Sequence, residues 1–287
     1  MKFDKKNHHY VPQYWQRGFK GTSGHIFGKF GSTIRRISSK TIMKEDWLYT
    51  VFDENWNPSD ILEDTISVME SKDAQLFQRL QSQGYIMTPS DRDQLCSALA
   101  LQASRHPDIL ERGRRLANEL GTVLANAHSM TLIDFKCGVA EFGINETEAH
   151  DLHVILTSRT QEQLALELAE LLSLSPQSSQ LPVQEAILAA PQIMETIKAL
   201  ELSLLEAPLG EAFVLGDTPL PQSNLSNGFT IPLSKSLAVI AIPSTVTQKT
   251  VLRREATPDE VKDINKTQFN NALHVVIGPS AGLLSNL

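Results

Sequence analysis

Two adjacent histidines, His8 and His9, open the run NHHYVPQYWQRGF at residues 7–19, with Tyr10, Gln13 and Arg17 close behind. An imidazole can give or take a proton near neutral pH, so a histidine here suits general acid–base work or contact with a phosphate. Neighbouring side chains point to opposite sides of a strand and diverge by about 100° on a helix. The pair is therefore not a two-ligand metal clamp, and one ring is expected to face inward while the other meets solvent. The competing expectation is structural: His9, Tyr10, Gln13 and Arg17 as a hydrogen-bonded lock over the core, with Pro12 starting a short helix.

Three further places carry usable groups. Arg105 ends the apolar segment LCSALALQASR, where its permanent charge demands a carboxylate, a phosphate or the last carbonyls of its own helix. Gln102 shares its face one turn earlier. Asp217 sits in LGDTPL, just past an expected strand and held between Gly216 and Pro219, a position that suits either a reachable active-site carboxylate or an aspartate bonding its own turn. Asn265 and Asn270 lie on an expected last helix, available to orient a ligand or to satisfy strand edges. The HDLH run, with His150 and His153 around Asp151, has transition-metal spacing but no second ligand set nearby and reads as a solvated face. RGRR at 112–115 is flanked by Glu111 and Glu119 and reads as a mixed-charge helix surface. There is no phosphate-binding glycine loop, dinucleotide fingerprint, His-Glu-x-x-His or Gly-x-Ser-x-Gly, which removes support for the familiar nucleotide and serine hydrolases.

The elements that must position these groups follow from periodicity. PQYWQRGF predicts a short helix closed by Gly18, and GHIFGKFG and TIRRIS a hairpin turning at Gly31. Ile61, Leu62, Ile66, Met69, Leu76, Phe77 and Leu80 recur at helical spacing up to Gly84. Thr88, Pro89 and Asp91 announce the next helix as cap, first residue and first-turn acid. Helical patterns then continue to about residue 206, interrupted by an expected exposed loop at 173–182. Beyond Pro208, EAFVLGDTPL, NGFTIPLS and SLAVIAIPS read as three strands, and Thr257 with Pro258 starts a final helix carrying Val261, Ile264, Phe269 and Leu273. A lone hairpin is barely stable, so the N-terminal one is expected to join the C-terminal strands. The expectation is a single α+β domain over 1–287: a large helical middle at 59–207, and a small, mostly antiparallel sheet built from the hairpin within 1–58 and the strands within 208–287.

The composition fits a globular chain of 287 residues, 41% hydrophobic and 21% charged, and a net charge of -7 argues against bulk electrostatic capture of nucleic acid or acidic membranes. No run approaches the roughly 20 apolar residues of a spanning helix, which leads to an expectation of a cytoplasmic protein without membrane contact. Cys96 and Cys137 both fall in helical, apolar settings and are expected to be reduced core thiols.

The segments NHHYVPQYWQRGF, HIFGKFG, DWLYTVF, LALQASRHP, AFVLGDTP, FTIPLSKSLAVI and INKTQFNNALHVVIG occur in an order that resembles a bacterial family of unknown function, the one numbered four-two-three-eight among the domains of unknown function. The resemblance spans almost the whole chain. It implies that Arg105-His106-Pro107 stands where the family carries Arg-Thr-Pro, and that Gly216-Asp217-Thr218-Pro219 stands where it carries Ser-Asp-Asn-Pro. The family brings no established activity.

Joined together, His8, His9 and Asp217 as acid–base groups and Gln13, Arg17, Arg105, Asn265 and Asn270 as ligand contacts suggest a nuclease-like or nucleotide-directed phosphodiester hydrolase, with participation of a divalent metal left open. The rival expectation is a binding or protein-interaction module whose polar motifs only hold its ends together.

Overall fold

The opening motif divides between a strand and a helix. β1 (Asn7–His9) pairs antiparallel with β4 (Lys44–Asp46), placing His8 opposite Glu45, and α1 (Gln13–Arg17) follows directly after Pro12. The alternation of a strand buries His8 and turns His9 to a half-buried position. Trp15 then drives α1 into the core, where its ring meets Phe77 edge-on and its Nε1 donates to the Pro232 carbonyl at 2.9 Å. The computed structural model describes residues 7–46, 48–52, 58–82, 84–105, 115, 119–172, 180–221, 224–244 and 251–287.

The fold is α+β. β2 (Ile26–Phe30) and β3 (Thr33–Ile37) form the expected hairpin, turning at Gly31, whose φ of 56° suits a residue without a Cβ. A small antiparallel pair, β5 (Val51–Phe52) and β6 (Pro58–Ser59), leads into α2 (Ile61–Leu80) and α3 (Pro89–Ser104). Thr88 caps α3 as expected: its side chain accepts the Asp91 N–H, and the Asp91 carboxylate accepts the Thr88 N–H. α3 is buried around much of its circumference, because α2 covers one side and a later helix, Gln180–Lys198, covers another.

A second group of helices, α4 (Leu132–Ala140), α5 (Glu146–Thr157) and α6 (Gln161–Leu172), closes around Phe135, Val139, Ala149, Leu156 and Leu164 as its own cluster. α7 (Gln180–Lys198) runs straight through Pro191, although that residue has no N–H for the helical ladder. Of the expected loop at 173–182, residues 173–179 lie outside the described set, and 180–182 already belong to α7.

The helical block ends earlier than its sequence suggests. ELSLLE at 201–206, read from sequence as helix, is β7 (Glu201–Glu206), an inner strand. Arg92 explains the break: its Nη2 donates to the carbonyls of Lys198 and Leu200 at 2.9 Å each, satisfying the helix end so that the chain can leave extended. β9 (Phe229–Ser234), β10 (Leu237–Ile242) and β11 (Leu252–Glu255) complete this sheet in the order β11-β7-β10-β9, antiparallel except for β11 beside β7. Val239 stands opposite both Leu204 and Ile231, so β7, β10 and the edge strand β9 put apolar side chains on one face of the sheet, within the main buried cluster.

The second sheet confirms the joining of the two ends. Its order is β3-β2-β12-β8, where β8 is Leu215–Gly216 and β12 is Val276–Gly278. EAFVLGDTPL supplies only that two-residue strand, and the expected last helix stops at Asn271 as α8 (Pro258–Asn271), leaving Leu273 exposed beyond it. α9 (Ala281–Ser285) closes the chain against β12 and the hairpin. Among the described residues, no helix is long and apolar enough to cross a membrane.

Candidate functional site

The polar residues of the opening motif converge on Tyr49. His8 is fully buried, and its Nδ1 accepts the Tyr49 N–H at 2.8 Å. The two rings lie parallel, 5.6 Å between centres and 4° between planes. Because Nδ1 is an acceptor, the neutral ring carries its proton on Nε2. His8, not His9, is therefore the inward histidine. His9 turns the other way: its Nε2 meets the Ser39 carbonyl at 3.0 Å, which it reaches as a donor. Burial lowers its pKa below the ordinary histidine value, with the charges of Lys44 and Arg17 adding to the effect.

Arg105 also lies against Tyr49. Its side chain is 2% exposed, its guanidinium carbon stands 5.7 Å from the centre of the Tyr49 ring, and Nη1 is 2.6 Å from Glu70 Oε1. Nε and Nη2 of the same group, the Tyr49 hydroxyl and the Thr50 hydroxyl are buried and have no hydrogen-bond partner among the described residues. One turn along α2 from Glu70, burial pushes the Asp73 carboxyl up to about 6, against the opposing influence of the Gln94 amide at 3.3 Å and of Arg105. Burial also raises the Tyr14 and Tyr49 phenols well above their ordinary range, so both stay neutral. The result is one buried polar cluster, His8–Tyr49–Arg105–Glu70, with Asp73 and Tyr14 at its edge.

The lock over the core exists, but with different members. Gln16, absent from the sequence reading, donates to the Val11 carbonyl at 2.7 Å, and Gln102 donates to that of Tyr10 at 3.0 Å. Gln13 and Arg17 instead pair with each other at 2.9 Å on the exposed side of α1.

The remaining sequence candidates fall elsewhere. Asp217 is 1% exposed, and its carboxylate accepts the N–H groups of Leu273, His274 and Val275 at 2.8, 2.8 and 3.3 Å, fixing the turn between α8 and β12. Burial raises its pKa above the usual aspartate value while those amides oppose the rise. Asn265 is buried and bridges the Val214 N–H and the Ala212 carbonyl, both at 2.9 Å, and Gln268 bridges the Gly216 N–H and the Pro219 carbonyl. These amides satisfy the irregular edge around β8 that lacks a longer ladder. Asn270 is exposed. The structure thus brings His8 and Arg105 together and places Asp217, Asn265 and Asn270 at the second sheet.

A cleft of about 380 Å³ lies between the Pro219–Pro221 turn, β9, β10 and α8, lined by Phe229, Ile240, Thr267 and Asn271 among others, with no titratable side chain among the described residues of its wall. His150 is exposed, whereas His153 packs its ring on Phe135 at 4.9 Å. Cys96 is a buried thiol, pushed up to about 11 by burial, but Cys137 is exposed, contrary to its apolar sequence setting. Of RGRR only Arg115 is among the described residues, and His106 and Pro107 lie outside them. No group of three or more His, Cys, Asp or Glu residues arranged to hold a metal occurs among the described residues.

Tyr49, Glu70 and Asp73 were not singled out from sequence. Tyr49 lies within DWLYTVF, where no spacing distinguishes it. Glu70 and Asp73 looked like the polar face of α2, and only the 6% exposure of Asp73 separates it from that face.

No curated protein and no solved structure matches the chain. A family model does match, over residues 7–281, and it contains the opening motif, Arg105 and Asp217 alike. The chain belongs to the family described as protein of unknown function DUF4238.

Proposed function

We propose that this chain binds a phosphoryl-bearing ligand, a nucleotide or a nucleic-acid phosphodiester, in the seam between its opening motif and the α2–α3 pair, and cleaves it as a nuclease-like hydrolase. The observation that carries the reading is that His8 and Arg105 both lie against Tyr49, so an acid–base group and an anion-holding group share one buried polar cluster. Arginine's planar fork matches phosphate oxygens, and burial strengthens that interaction. To give a proton to a leaving oxygen, His8 must first exchange the Tyr49 N–H at Nδ1 for a proton and work from its cationic form. Asp73, poised near 6, is the carboxylate in that neighbourhood suited to accept a proton from an attacking water. In this reading Asp217 is a positioning residue for the 273–275 turn, and the protein works in the cytoplasm, where its cysteines stay thiols.

The test is hydrolysis of bis(p-nitrophenyl) phosphate and of a single-stranded oligonucleotide, with and without Mg2+ or Mn2+. Wild-type turnover that drops at least a hundredfold in His8→Asn, assayed well below the melting temperature of that variant, supports the reading. Absence of turnover with every metal sinks it. A non-catalytic binding module is the second reading, favoured by one observation: the side chains of Gln16, Gln102, Asp217, Asn265 and Gln268 are committed to backbone groups, as in a purely structural seam.

A further inference from the structure

The geometry points to the side edge of Arg105, which has no partner among the described residues, as an oxyanion site that takes one phosphoryl group, with the Tyr49 hydroxyl as a further donor and Glu70 as a built-in competitor. This rests on the phosphoryl class of ligand proposed above, not on its cleavage.

A guanidinium presents two edges able to grip a pair of oxygens, one formed by its two terminal nitrogens and one by Nε with Nη2. Glu70 engages a single nitrogen, Nη1, and does so end-on at 2.6 Å. The two atoms left without a partner among the described residues, Nε and Nη2, are the two atoms of the side edge. Its parallel donors are thus intact and buried. A buried charged donor normally has its partner, and a shortfall of this kind marks a missing group.

The orphaned groups nearby are also donors. Tyr49 faces Arg105 across 5.7 Å, its hydroxyl is buried and unpartnered, and its raised pKa keeps the proton on the oxygen. The adjoining Thr50 hydroxyl is in the same condition. One N–H on Nε and one on Nη2 form the side edge, and the Tyr49 O–H adds a third donor, so an anion with a separate oxygen for each suits the site. A phosphoryl group, with three terminal oxygens, supplies enough. Glu70 neutralises Arg105 in the empty state and, with 24% of its side chain exposed, can give way to water when the anion arrives.

The experiment measures melting temperature and calorimetric binding with inorganic phosphate against chloride at equal ionic strength. Wild type should be stabilised by millimolar phosphate, and Glu70→Gln, which removes the competing charge, should bind phosphate about tenfold more tightly. Arg105→Lys keeps the charge and can still meet Glu70, but lacks the planar fork and should lose the phosphate response. Should Arg105→Lys not fold, Tyr49→Phe with Glu70→Gln decides, through a several-fold loss and a gain of affinity respectively. No phosphate effect on wild type, or unchanged affinity in these variants, overturns the site. Phosphate binding without phosphodiester turnover removes the hydrolase reading and leaves this site standing. Turnover insensitive to phosphate and to Arg105→Lys does the reverse.

Discussion

The ring of His8 lies parallel to that of Tyr49 and takes the Tyr49 N–H on Nδ1 at 2.8 Å, so one side chain settles the path of the 48–50 turn and the position of an aromatic ring in front of Arg105. His8→Ala strands that buried N–H and opens a gap beside Tyr49, at an expected cost of about 2–4 kcal/mol. His8→Asn, whose side-chain oxygen can stand where Nδ1 stood, should recover roughly 1 kcal/mol of it. Urea unfolding of the two variants checks the order, and equal losses would show that the Tyr49 N–H contact is unimportant.

Asp217 and Asn270, both candidates from sequence, should separate sharply in stability. Asp217→Ala leaves three N–H groups of the 273–275 turn without their carboxylate, at an expected cost on the order of 3 kcal/mol. The exposed Asn270→Ala should stay within about 0.5 kcal/mol of wild type. Thermal unfolding by circular dichroism measures both, and a neutral Asp217→Ala contradicts the structural role of that carboxylate.

Asp73 should imprint a pH dependence of known sign. Its folded-state pKa is raised from 3.8 to about 6, so between these values the unfolded chain has released the proton that the folded protein still holds. The stabilising contribution is complete below about pH 3.8 and is lost as pH climbs to about 6, by on the order of 3 kcal/mol at 1.36 kcal/mol per pKa unit. Asp73→Asn should remove this slope and be more stable than wild type above pH 6. Denaturant unfolding from pH 4.5 to 7.5 shows whether the two curves converge at acid pH as required.

Gly216 is a close-approach position: a Cβ there would stand 2.7 Å from the Gln268 carbonyl oxygen, an atom of the α8 backbone. Gly216→Ala should cost about 1–3 kcal/mol through displacement of α8 from β8. Gly282→Ala meets open space on the helix α9 and should stabilise by about 0.5–1 kcal/mol. Chemical denaturation of the pair tests whether the penalty belongs to the site or to glycine replacement in general.

Much of this architecture was legible in the sequence because its signals are local. Thr88 and Thr257 each announced a capping box, Gly31 a hairpin turn, and the period-two runs at 229–234 and 237–242 their strands, since each depends on residues a few positions apart. The opening motif likewise marked the stretch that holds His8, although not which of its members would turn inward. Strand pairing decided that: β4 sets β1 so that His8 is sealed and His9 is left on Ser39.

What tertiary structure alone decided are the features that need two distant segments at once. ELSLLE became a strand because Arg92, more than a hundred residues earlier, closes the preceding helix and because β10 and β11 wait on both sides. Glu70 and Asp73 joined the buried polar cluster because α3 packs over their face of α2 and brings Arg105 and Gln94 to them. Asp217 took a structural place because the chain returns from α8 with three bare amides in front of it. Hydrogen-bonding capacity is written in each residue type, but the partner that consumes it, as Glu70 does at Nη1 of Arg105, is decided only once the chain has folded.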